Sequence, residues 1–235
     1  MVNLAPVAHL DPVGLLDQEI ERLEQFFESL EGADWSRGTR CAGWGRREVL
    51  AHLAGADAYH VAGIDNTLDE MTGAAGKAGV TDLDSFNLWQ VNLRADRTTD
   101  EVLDEWRRLN RAMRDGFRWL GEEGTVATMI GPYPARMQAF HVVNHAATHA
   151  DDMGVPVDPA DAAARLAWRV AVCEFGLSEA DSPVELERAP DANRVRVGGA
   201  EAVLTDQELV EAVNARLPAN HWSQVGIRDA IKVLA

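Results

Sequence analysis

Along the first three quarters of the chain, apolar side chains recur at the three- and four-residue intervals of amphipathic helices. Leu15, Leu16, Ile20, Leu23, Phe26, Phe27 and Leu30 mark the first, with Asp11 as its cap, Pro12 at its first position and Gly32 as its stop. A polar connector, ADWSRGTRCAGWG, leads into a second helix from about Arg46 to about Ile64. There Val49, Leu50, Leu53 and Ala56 share a face with His52, which turns that histidine inward. Residues 71–81 contain Gly73, Gly76 and Gly79 with few large apolar groups and read as a mobile loop, the kind that borders sites. DSFNLWQVNLR reads as a short helix. Thr98 and Glu101 then form a capping box for a long helix bearing Val102, Trp106, Leu109, Met113, Phe117 and Leu120, closed by Gly121.

The next helix begins near Pro134 and runs through ARMQAFHVVNHAATHADDM to a stop at Gly154 and Pro156. Another starts at Asp158 and Pro159 and carries Leu166, Trp168, Val172 and Phe175 toward Gly176. Beyond it, SPVELERAPDANRVRVGGAEAVLT alternates short Val-rich runs with Pro, Asn and Gly, a pattern of small strands and turns. Thr205 and Glu208 cap DQELVEAVNARL, which Pro218 stops, and a last helix is expected from Gln224 to Leu234. The reading is a mainly α chain: an antiparallel helical bundle over residues 1–176 and a small α/β lobe over 177–235.

Charge and cysteine usage narrow the setting. A formal net charge of −16 opposes a phosphate backbone, so nucleic acid is a poor partner. Two cysteines, Cys41 and Cys173, make no disulfide framework, which points to a reducing cytoplasm. The N-terminal residues lack the basic and apolar regions of a secretory leader, and no run of about 18 apolar residues suggests a membrane span.

The chemistry concentrates in histidines. His141, His145 and His149 follow one another at four-residue spacing and form a stripe on one helical face. Imidazole is the commonest protein ligand for zinc, and two histidines one turn apart can reach one ion. His52, ending the run REVLAHL, is the natural third ligand. Lone histidines of this kind are more often surface or satisfied core residues, but several imidazoles turned inward cost free energy unless each finds a partner, and a metal satisfies three together. His60 and His9 are expected to be structural or solvent-facing. Asp152, three residues after His149, is placed to accept that ring's second N–H; the alternative is a solvated aspartate near a helix end. Asp151 is rotated away.

The stretch DWSRGTRCAGWGRREVLAHLAG, a Trp, then Cys-x-Gly-Trp, then a helix ending Ala-His-Leu, resembles the N-terminal signature of the mycothiol-dependent maleylpyruvate isomerase-like branch of the DinB-like superfamily. HAATHADD resembles that family's second signature. The resemblance implies an up-and-down four-helix bundle with a metal at one end of its core, held by His52, His145 and His149, with Asp152 at the family's aspartate. The isomerase branch usually carries Glu where this chain has His145, and in that respect the chain resembles the DinB-like thiol S-transferases more closely.

Three ligands leave a fourth tetrahedral position open, the arrangement of catalytic zinc. The resemblance implies that mycothiol, or a related low-molecular-weight thiol, binds there as the thiolate and attacks a small electrophile, either transferring the thiol or isomerising a double bond. His141 is a candidate base or hydrogen-bonding neighbour, with simple packing as the alternative. Arg216 and Arg228 could anchor carboxylates of the substrate or the thiol, against plain surface solvation, and Trp35, Trp44 and Trp89 could line the pocket. Two rivals remain: metal-dependent hydrolysis with His141 or Asp152 as base, and a non-enzymatic stress protein whose metal is structural. The protein is expected to act as a monomer or homodimer.

Overall fold

Caps and apolar stripes place the helices close to where the pattern puts them. The computed structural model describes residues 2–189, 192–223 and 225–234. Its elements run α1 (Pro12–Glu28), α2 (Arg46–Ile64), α3 (Leu68–Lys77), α4 (Leu83–Asn92), α5 (Thr99–Leu120), the hairpin β1 (Thr125–Thr128) and β2 (Gly131–Pro134), α6 (Ala135–Met153) and α7 (Ala162–Glu179). The antiparallel sheet β3 (Glu185–Ala189), β4 (Ala192–Val197) and β5 (Ala200–Leu204) follows, then α8 (Asp206–Val213) and α9 (Val225–Ile231). The fold is mainly helical with small antiparallel sheets. Among the described residues no helix is long and apolar enough to cross a membrane.

The chain forms two compact units, Pro12–Pro156 and Met1–Asp11 with Val157–Ala235. In the first, α2 packs on α4 and α5, and α1 on α6. Leu16, Ile20, Leu23 and Phe27 of α1 are buried, and the Phe27 ring meets Trp106 of α5 edge-on at 5.2 Å. Around that seam Arg107 pairs with Glu24 at 2.8 Å and Glu28 at 2.7 Å, while Arg114 and Arg118 both reach Asp17. In the second unit, Val170, Cys173 and Leu177 of α7 join Val195, Leu204, Leu209, Val213, Ile227 and Ile231 in one core.

The structure differs from these expectations in several places. Residues 71–81 were expected to be a loop, yet most lie in α3, where Leu68 and Ala75, two turns apart, are buried. Asp69 and Glu70 in its first turn and Lys77 in its last suit the helix dipole, and Gly73 and Gly76 face open space, where no side chain is required. The β1–β2 hairpin was not anticipated, because TVATMIGPYP has two prolines and no clean alternation; its register pairs Val126 with Tyr133. α7 packs in the core of the tail unit. Gly176 does not end α7; it lets Leu234 approach, and a Cβ there would stand 2.8 Å from that side chain. The last helix is shorter than expected, and Pro190, Asp191 and Gln224 lie outside the described residues.

Candidate metal centre

Two helices supply the histidines. On α2, residues Val49 to Gly55 are all buried, so the helix is enclosed nearly all round at that level and His52 is 5% exposed. On α6, Ala139, Ala146, Ala147 and Ala150 are buried, small enough for neighbours to pack closely, and His145 and His149 project from successive turns. The result is a triangle of rings with centroids 5.0 Å (His52–His145), 4.8 Å (His52–His149) and 4.5 Å (His145–His149) apart. Nε2 of His52 lies 2.9 Å from Nε2 of His145, and one potential ligand nitrogen from each ring lies within 4.8 Å of the others. Two nitrogens at about 2.0–2.1 Å from one tetrahedral ion stand about 3.3 Å apart, so these three side chains could hold a divalent ion.

Asp152, 3% exposed, sets its Oδ2 3.1 Å from Nδ1 of His149, an arrangement that leaves Nε2 of that ring for an ion. Its burial removes it from the class of solvated helix-end aspartates. The connector before α2 folds back on the same place. The Arg40 N–H donates to the Asp152 carbonyl at 3.0 Å, and the Cys41 thiol donates to Asp152 Oδ2 at 3.2 Å with Sγ 3.6 Å from His149 Nδ1. The indole of Trp44 lies 5.2 Å from the His52 ring. Trp35 instead stacks on Phe27, and Trp89 meets Phe86 with the rings tilted by 46°, both in packing roles.

His141 lies one turn before His145, with its ring 6.1 Å from Tyr133, and burial pushes its pKa down to about 4. That leaves it neutral near pH 7 and a weaker base than an exposed imidazole. His60 of α2 is near it; burial, then the His141 charge, lowers its pKa to about 3. Arg216 and Arg228 are in the tail unit, where Arg216 donates to the Asn214 carbonyl at 3.2 Å and Arg228 pairs with Asp229 at 3.0 Å.

Cys41 is the site neighbour that sequence reasoning did not single out. Its Cys-x-Gly-Trp motif was visible, but nothing local shows that the connector returns to the far end of α6.

Residues 16–140 match the mycothiol maleylpyruvate isomerase N-terminal domain. The chain belongs to that family. The matched region takes in Cys41, Trp44 and His52 and ends before His145 and His149. Two solved structures share the isomerase-like fold: crystal structures of the mycothiol-dependent maleylpyruvate isomerase and of a histidine-to-alanine mutant of it. They are 14% and 13% identical to the chain, each with a TM-score of 0.61 and covering 87% of this chain and 88% of the other. No curated protein matches.

Proposed function

We propose that this member of the isomerase family is a metal-dependent thiol S-transferase or isomerase that uses mycothiol, or a related low-molecular-weight thiol, against a small electrophile. The observation carrying the reading is the convergence of His52, His145 and His149, with His149 backed by the buried Asp152, in a chain of a family named for mycothiol. The three imidazoles would hold one divalent ion, with zinc the best match for an all-nitrogen set. When bound, such an ion would favour thiolate over thiol.

The chain's own groups have separate tasks. Asp152 holds the His149 proton at Nδ1, Trp44 covers the His52 ring, and His141 presents a neutral imidazole beside the stripe. The reaction class is bond formation between the thiol sulfur and an electrophilic carbon. In transfer the sulfur displaces a leaving group from that carbon, or adds to its double bond while the neighbouring carbon takes a proton, and the C–S bond persists; in isomerisation the C–S bond breaks again after rotation, restoring the double bond and releasing the thiolate. His145 stands where the resemblance places a Glu in the isomerase branch, which leaves the centre one negative charge poorer.

The test follows turnover by zinc-loaded protein with mycothiol and a panel of electrophiles that includes maleylpyruvate, read as thiol consumption for transfer and as cis–trans conversion without net thiol loss for isomerisation. Metal-dependent turnover with at least one electrophile is expected. No turnover with any thiol, together with metal-dependent ester or amide hydrolysis, would make the protein a hydrolase.

A further inference from the structure

We infer that Cys41 is a positioning residue for this centre: with Asp152 it holds the His149 ring in the tautomer that turns Nε2 to an ion. The inference rests on the reading of His149 as a ligand. The connector that carries Cys41 is closed on itself. Thr39 Oγ1 accepts from the Cys41 N–H at 3.1 Å and donates to the Trp44 carbonyl at 3.0 Å. The Trp44 N–H returns to the Cys41 carbonyl at 3.0 Å, and Gly38 bridges Gly45 at the base. The Arg40 N–H then ties this turn to the Asp152 carbonyl. Together these bonds determine where the thiol stands.

At that place the proton arrangement has two forms. In one, both the thiol S–H and the His149 Nδ1–H donate to Asp152 Oδ2. In the other, the thiol donates to Nδ1, the ring proton moves to Nε2, and the lone pair an ion needs is gone. An ionised carboxylate is the stronger acceptor, so the first form is favoured, and the thiol supplies a donor to a carboxylate that burial has taken from water. The S···Nδ1 approach of 3.6 Å is then a contact between two donors to one oxygen. Cys41 acts through Asp152 and is neither ligand nor nucleophile.

The test compares full-length Cys41→Ser, which keeps a donor, with Cys41→Val, which keeps the bulk without one. Cobalt affinity, measured by chelator competition, should fall about 10-fold in Cys41→Val and stay within about 3-fold of the parent in Cys41→Ser. Adding Cys41→Val to Asp152→Asn should cost nothing more, because the relay is already broken. In metal-free protein, nitrogen-15 spectra should show His149 protonated at Nδ1 in the parent and Cys41→Ser and as a tautomer mixture in Cys41→Val. That readout separates a failure of this inference from a failure of the metal reading. Parental affinity in Cys41→Val, an unchanged tautomer there, or a fully additive loss with Asp152→Asn overturns the inference. So does a sulfur-to-cobalt band that appears without added thiol and vanishes in Cys41→Ser, since it would make Cys41 a ligand.

Discussion

At the scale of single side chains, the proposed centre rests on where a few protons sit. Asp152→Asn replaces an acceptor with an amide that can donate to His149 Nδ1, so it should weaken metal retention about 10- to 100-fold without unfolding the chain. A variant equal to the parent in affinity and turnover would return Asp152 to a packing role. Away from the centre, His60 and Asp57 tilt stability in opposite directions. The folded pKa of His60, about 3, lies below its ordinary 6.5, so its contribution is present above pH 6.5 and lost as pH falls toward 3. Burial raises the Asp57 carboxyl to about 7 although Asn110 donates to it, so its contribution is full below about 4 and lost as pH rises through 7. Denaturant titrations across pH should show His60→Gln flattening the acid limb and Asp57→Asn the opposite slope; parallel curves for parent and variants would contradict both assignments. The histidine trio was legible because i, i+4 spacing and an apolar helical face are local patterns. Cys41 was not, since its partner lies 111 residues away.

Helices are legible where their ends carry chemistry. α5 begins where Thr98 Oγ1 accepts from the Glu101 N–H at 3.2 Å and Glu101 Oε2 accepts from the Thr98 N–H at 2.8 Å. Thr98→Ala should cost about 1 kcal/mol in thermal or denaturant unfolding. α3 was misread because glycine content outweighed two buried anchors and well-placed charges, and β1 and β2 were missed because their strands are four residues each. The hairpin does leave a mark on α2. A Cβ at Gly63 would stand 2.3 Å from the Ala127 carbonyl oxygen, so the hairpin backbone occupies the space a side chain would need. Gly63→Ala should destabilise the protein by about 1–3 kcal/mol, and a neutral result would mean that β1 does not pack there.

At the scale of the whole molecule, the mainly helical class and the family were readable from hydrophobic period and two short signatures. The grouping of α7 with the tail was not, because its apolar stripe has the same period whichever core it enters. His52, His145 and His149 are proposed to present one divalent ion to a thiol. The most direct measurement is the near-ultraviolet spectrum of cobalt-loaded protein titrated with mycothiol. A saturable thiolate-to-cobalt charge-transfer band is expected, absent from His52→Ala, His145→Ala and His149→Ala, which should no longer retain the ion. A spectrum unchanged by saturating mycothiol and by other cellular thiols, in protein that holds its cobalt, would mean that the ion at these histidines does not take a thiol.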